Sequence, residues 1–203
     1  MELPHRPLQP VSLTPIGTSH MNDLSDAELL ALLRKEESRS YGFNLLVRQY
    51  QRRLYNFIRR MVTDHHAAQD VLQNVFLKAW NGLDGFRADA KLYSWLYRIA
   101  HNESLNHLRK LKRGLFVSTE SVVEHLTTTL DSSEHFNGDA IQQKLQHAVM
   151  RLPAKQRAVF TMKYFEEMKY EQMSSITGTS VGALKASYHI AVKKIEAQLT
   201  RPD

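Results

Sequence analysis

Apolar residues recur three and four positions apart along most of this 203-residue chain, the spacing of helices that each bury one face. The run S-D-A-E from Ser25 to Glu28 is a capping box: the serine hydroxyl accepts from the amide three residues on, and the glutamate reaches back to the cap amide. A short helix should follow, burying Leu29, Leu30, Leu32 and Leu33. Phe43, Leu46, Val47, Tyr50, Leu54, Phe57, Ile58 and Met61 continue the spacing and predict a long amphipathic helix, with Arg48, Arg52, Arg53, Arg59 and Arg60 outside. A third helix starts near Asp64 and buries Val71, Leu72, Val75, Phe76, Ala79 and Trp80. Its polar residues Asp70, Gln73 and Asn74 share another face, because positions three and four apart are neighbours on a helix surface. Gly82 and Gly85 end it.

The stretch from Asp84 to Arg113 then opens as a loop and passes into a helix carrying Tyr93, Trp95 and Tyr97 and ending in Arg109, Lys110, Lys112 and Arg113. Two readings compete. Trp95, Leu96, Ile99 and Leu108 can form an ordinary buried stripe, with the basic end complementing the helix dipole. Alternatively, aromatic rings that stack on unpaired bases and cations that neutralise phosphates make a surface for a single strand of nucleic acid.

From Gly114 to Gly138 the composition changes to many Ser and Thr, no Lys or Arg, and the acids Glu120, Glu124, Asp131 and Glu134. This is the pattern of an acidic linker between two domains. Helical spacing resumes near Asp139 with Ile141, Leu145, Val149 and Leu152, and Pro153 suits the first turn of the next helix, which carries Val159, Phe160, Met162 and Tyr164. A short helix from about Tyr170 is ended by Gly178, and another starts after Ser180 as N-cap. Two helices joined so tightly read as a helix-turn-helix. Leu184, Tyr188, Ala191, Ile195 and Leu199 form the buried stripe of the second. Its opposite face shows Gly182, Lys185, Ala186, His189 and Lys193, small or basic side chains that let a helix lie close in a major groove.

Composition narrows the classes. With 42% apolar and 24% charged residues the chain suits one or two small packed domains, and no run of eighteen apolar residues predicts a membrane span. Met1 to His20 hold four of the six prolines and no apolar signal core, so residues 1–22 are expected to be a disordered leader, with Met21 a candidate natural start. The absence of cysteine excludes disulfides, thiolate zinc sites and cysteine nucleophiles, and accords with a cytoplasmic location. A net charge of +6 and a pI near 9.5 favour a polyanionic partner. Neither Asp64, His65, His66 and Asp70 nor His101, Glu103 and His107 show the H-E-x-x-H type of spacing that sets two ligands on one helical face. The expectation is a protein without metal, cofactor or enzymatic activity.

Four segments together resemble the extracytoplasmic-function class of bacterial RNA polymerase sigma factors. A-Q-D-V-L-Q-N-V-F-L-K-A-W from Ala68 to Trp80 resembles the family's polymerase-clamp helix. F-R-A-D-A-K-L-Y-S-W-L-Y-R-I-A-H-N from Phe86 to Asn102 resembles the loop and helix that read and open the minus-ten element, and is the most specific match. L-P-A-K-Q-R-A-V-F from Leu152 to Phe160 and the helix-turn-helix resemble the domain that reads the minus-thirty-five element.

The resemblance implies an all-α fold of two small helical domains joined by a flexible acidic linker. Residues 23–113 would be region-2-like, 114–138 the linker, and 139–203 a region-4-like domain containing the helix-turn-helix. It implies that the protein binds core RNA polymerase through the beta-prime clamp and beta flap, directs it to promoter DNA and helps open the minus-ten element. An anti-sigma factor would be a further kind of partner. By resemblance, Asp70, Gln73 and Asn74 dock on the clamp; Phe86, Arg87, Asp89, Lys91, Tyr93, Arg98 and Asn102 face minus-ten DNA; Ser180, Lys185, Ser187, His189 and Lys193 face minus-thirty-five DNA. The sequence departs from the family pattern in Asn74 for the usual acid, in Gln172, Met173 and Ser174 for Glu, Ile and Ala, and in Ala183 and Ser187 for Thr and Arg. The alternative, an autonomous helix-turn-helix regulator, accounts for the carboxy-terminal half but not for Asp84 to Arg113.

Overall fold

The computed structural model describes residues 24–86, 91–114, 126, 128–129 and 140–200; the leader and most of the expected linker lie outside them. Among the described residues the ordered elements are all helical. Helix α1 spans Asp26–Arg34, and its capping box forms as the sequence predicts, with the Ser25 amide donating to Glu28 Oε2 at 2.8 Å and the Glu28 amide to Ser25 Oγ at 3.3 Å. Helix α2, Glu36–Val62, turns back against it. The crossing needs Gly42: a Cβ there would sit 2.8 Å from Leu32 Cβ. Asp26 ties the assembly together, since its Oδ2 accepts from the Leu92 amide at 3.0 Å while Tyr50 Oη donates to Oδ1 at 3.3 Å. Helix α3, His65–Gly82, starts at Asp64, whose carboxylate accepts from the Ala67 amide at 2.7 Å. A 3-10 turn, Leu83–Gly85, follows it, and α4 spans Leu92–Gly114. Leu46, Leu54, Phe57, Ile58, Val75, Ala79 and Leu96 fill the core between α2, α3 and α4.

The carboxy-terminal half contains α5, Ala140–Met150; α6, Ala154–Phe160, prolonged by a π-helical turn Thr161–Phe165; α7, Tyr170–Thr177; and α8, Val181–Leu199. Pro153 caps α6 one position before its first turn. Gly178 adopts φ 70°, a left-handed conformation open to glycine, and its amide closes α7 on the Ser174 carbonyl at 2.9 Å. Ser180 Oγ then accepts from the Ala183 amide at 3.3 Å and starts α8. Val149, Leu152, Phe160, Ala191 and Ile195 make a small core of their own.

The two halves are not merely tethered. Ala158, Val159, Met162, Met173, Ile176 and Leu184 belong to the same buried cluster as Phe57 and Tyr97. Leu126, inside the expected linker, is also buried in that cluster. The sequence reading put Arg59 and Arg60 outside, and this is corrected: Arg59 is buried, and Arg60 lies 4.3 Å from the Phe165 ring centroid. Arg157 is buried as well, donating from Nη1 to the Met61 carbonyl at 2.7 Å and from Nη2 to the Met150 carbonyl at 2.6 Å. Burial lowers its pKa to about 10, so it remains a cation at neutral pH.

His101 on α4 sits 7% exposed at the junction, and its Nδ1 has no hydrogen-bond partner among the described residues. Burial, reinforced by the charge of Lys155, pushes it down to about 4. An exposed imidazole protonates near pH 6.5. The stability that goes with a neutral His101 is therefore complete above about pH 6.5 and is lost as the pH falls towards 4, because the opened state takes a proton that the packed state refuses. In acid, His101→Met should gain on the wild type by up to roughly 1.4 kcal/mol per pH unit below 6.5. Urea unfolding at pH 7, 6 and 5 measures this, and parallel pH dependences would contradict it.

Candidate nucleic-acid and polymerase interfaces

Three exposed surfaces carry the residues singled out by sequence. On α3, Val71, Val75 and Ala79 face the core, which leaves Asp70, Gln73 and Asn74 on the opposite, exposed side. Leu77 lies one turn beyond Gln73 and is 55% exposed. The sequence reading passed over it, although its step of four from Gln73 was visible. Lys78 next to it donates to Glu103 Oε1 at 2.6 Å and fixes α3 against α4. At the far end of α3, Arg39 donates to Asp84 Oδ1 at 2.7 Å and lies 5.2 Å from the Trp80 ring centroid.

The second surface belongs to α4. The buried stripe read from the sequence occupies one side of this helix, and the residues of the strand-binding reading lie on another. Leu96 and Leu108 are core, with Trp95 and Ile99 half-buried. Lys91, Arg98 and Asn102 are exposed, and with Trp95 they follow the helical spacing of a single side. Phe86 packs on Trp95 with ring centroids 4.9 Å apart, which anchors the residue after the 3-10 turn on α4. Tyr93 is half-buried with its ring 4.4 Å from that of Tyr97. Burial pushes the Tyr93 hydroxyl up to about 12 and that of Tyr97 further, so both stay neutral. Tyr97 itself is fully buried and donates to Glu166 Oε2 at 2.6 Å, which removes it from the aromatics available to bases. Arg87 and Asp89 lie outside the described residues.

The third surface is α8. Leu184, Ala191 and Ile195 are buried, while Lys185, His189 and Lys193 are exposed along the other side, separated by four-residue steps. Ser180 is used as the cap, and Ser187 is half-buried at the edge of the exposed face. Lys185 Nζ lies 5.8 Å from the Tyr170 ring centroid, a contact that aims the cation across the turn of the motif. Ile190, 44% exposed beside His189, is a second apolar residue that sequence periodicity did not single out. A side chain of this kind can meet a thymine methyl in a major groove.

Among the described residues no cluster of His, Asp or Glu has the arrangement of a metal site, and no helix is long and apolar enough to cross a membrane.

Comparison with known proteins adds an independent line. The family model of sigma-70 region 2 matches residues 46–114, and that of sigma-70 region 4 matches residues 142–195. The RNA polymerase sigma-H factor of Pseudomonas aeruginosa is 31% identical over 184 residues, covering 86% of this chain and 93% of that protein. The ECF RNA polymerase sigma factor SigW of Bacillus subtilis is 28% identical, over 78% of this chain and 89% of its own. The ECF sigma-E factor of Escherichia coli K12 is 28% identical, over 85% and 93%. Among solved structures, CnrH in complex with the cytosolic domain of CnrY superposes with a TM-score of 0.62 at 23% identity, over 86% of this chain and 96% of that one. The sigma factor RpoE of Bartonella quintana, in complex with the anti-sigma factor NepR, gives a TM-score of 0.60 at 22% identity, over 79% and 98%. These two likenesses concern the fold.

Proposed function

The chain belongs to the extracytoplasmic-function family of RNA polymerase sigma factors, and from that premise we propose how its three surfaces divide the work. As a sigma factor it directs RNA polymerase to promoters and is not an enzyme. The observation that carries this is the pair of sigma-70 matches, region 2 before region 4, on one chain.

In the proposed division, Asp70, Gln73 and Asn74, joined by Leu77, dock on the polymerase clamp. The loop from Phe86 and the α4 side of Lys91, Tyr93, Arg98 and Asn102 hold the exposed strand of the minus-ten element, with Arg87 and Asp89 in the same loop. Extruding a base costs a few kcal/mol, offset by stacking and by the contacts of the polymerase. Ser180, Lys185, Ser187, His189 and Lys193 meet minus-thirty-five DNA, and the domain that carries them reaches the polymerase flap. The cell compartment proposed is the cytoplasm, where polymerase and promoter are. An anti-sigma factor is proposed as a regulator, since the relatives CnrH and RpoE were solved with CnrY and NepR.

Lys185 tests the third surface. If its ammonium contacts a base, Lys185→Ala will cost roughly 1–3 kcal/mol at one minus-thirty-five position and relax preference there. If it contacts a phosphate, all sequences will weaken alike and the salt dependence will become shallower by about one ion. Transcription from a panel of minus-thirty-five variants distinguishes these, and undiminished activity on every variant would remove Lys185 from the interface.

A further inference from the structure

We infer that α8 discriminates its promoter element chiefly through an apolar contact, in which Ile190 packs on the C5-methyl group of a thymine in the major groove. This rests on the proposed placement of α8 on minus-thirty-five DNA and adds what the helix recognises there. Ile190 is 44% exposed, although the same helix buries Leu184, Ala191 and Ile195. A lone apolar side chain on a surface is ordinary. This one lies on the outer side of the second helix of a helix-turn-helix, with Lys185, His189 and Lys193 exposed on one side of it and Lys194 on the other. Lys194 is held there by Gln156 Oε1 at 3.0 Å. Cations flanking an apolar side chain suit a polyanion that carries apolar groups between its phosphates, which describes a major groove at an A·T pair better than an apolar peptide.

The neighbouring positions allow the close approach that such a contact needs. Ala186 lies one turn before both His189 and Ile190, and Gly182 and Ala183 lie one turn before Ala186, all of them exposed. A Cβ added at Gly182 would meet nothing within 4 Å, so the space around this turn is open to a partner. Helical side chains lean toward the N-terminus of their helix. The surface that Ile190 covers therefore lies toward Ala186 and toward the end of α8 that enters a groove.

The rest of α8 leaves few other means of telling bases apart. Arginine and lysine read guanine, asparagine and glutamine read adenine, and acids read cytosine. Between Val181 and Lys193 there is no Arg, Asn, Gln, Asp or Glu. Ser180 is used as the cap and Ser187 is half-buried. Tyr188 is turned inward, its ring stacked on Phe160 with centroids 5.9 Å apart. Lys185 leans toward the Tyr170 ring, 5.8 Å from its centroid. The thymine methyl is the base feature that needs neither donor nor acceptor to be recognised.

The test uses the full-length chain with core RNA polymerase and a promoter fragment selected from a pool randomised across the minus-thirty-five element. Each thymine on either strand of the selected element is then replaced in turn by deoxyuridine, which removes the methyl group and keeps every donor and acceptor. One such replacement should weaken binding about fourfold, the effect of one methyl-sized group buried from water. Ile190→Ala should weaken binding of the thymine fragment at least as much and leave it indifferent to that replacement, because both changes remove the same contact. Ile190→Val, which keeps branched methyls, should retain part of the preference. Capture of a pre-melted minus-ten bubble should be unchanged in Ile190→Ala, showing that the variant is folded and bound to polymerase. The inference is overturned if no deoxyuridine replacement weakens the wild type. It is equally overturned if Ile190→Ala loses the same factor on thymine and deoxyuridine fragments, the pattern of an apolar contact made to polymerase or another protein. Selection that yields no preferred minus-thirty-five sequence at all would instead count against the placement of α8 on DNA.

Discussion

The triple substitution Gln73→Ala, Asn74→Ala and Leu77→Ala is expected to weaken binding to core RNA polymerase by at least about thirtyfold, roughly 2 kcal/mol. The three side chains lie on the outer side of α3, away from Val71, Val75 and Ala79, so their removal opens no cavity. Stability should change by no more than about 0.5 kcal/mol. Leu77 should account for the largest part of the binding loss, because an exposed apolar side chain ringed by polar groups is the usual anchor of an interface, whereas polar contacts at a wet rim contribute less. Titration of labelled chain with core polymerase, beside urea unfolding of the same variant, measures both quantities. Wild-type affinity in a protein of wild-type stability would take this face out of the polymerase interface.

How much of this was legible beforehand depended on whether local chemistry or long-range packing decided the outcome. The capping box at Ser25, the helix start near Asp64, the helix end at Gly178 and the Ser180 start of α8 all formed as read, because each is settled within four residues of chain. The exposed rows Asp70, Gln73, Asn74 and Lys185, His189, Lys193 were equally legible, since they follow from the helical period. Tyr97 was not. Its neighbours Tyr93 and Trp95 suggested a row of stacking rings, yet its hydroxyl is committed to Glu166, 69 residues on, a partner no periodicity could indicate. Arg59 and Arg60 were misplaced for a like reason: a sequence pattern sends arginine to water, whereas Arg59 is buried and Arg60 lies over the Phe165 ring from the other half of the chain. Burial of Leu126 likewise depended on a core shared by both halves.

The second large effect concerns promoter recognition itself. For the free chain, specific binding to a promoter duplex should be weak, for two independent reasons. Opening the minus-ten element is not repaid without polymerase contacts, and in the structure of the chain alone Arg98 already serves the Ser175 carbonyl. Addition of core polymerase should raise specific over non-specific binding by about a hundredfold or more, within the range that separates specific from non-specific complexes. A pre-melted bubble should remove only the first obstacle. Arg98→Ala and Asn102→Ala should therefore reduce capture of the bubble strand in the polymerase complex about tenfold each, while Lys185→Ala, acting on the duplex upstream, should leave that capture unchanged.

The most direct measurement is anisotropy of a labelled promoter fragment with the full-length chain, alone and with core polymerase, against a scrambled fragment at one fixed salt concentration. The account predicts little discrimination by the chain alone and strong discrimination once polymerase is present. Tight, specific binding of the linear duplex by the chain alone, with no gain from polymerase and no loss on substituting Arg98 or Asn102, would contradict it and leave an autonomous helix-turn-helix protein in its place.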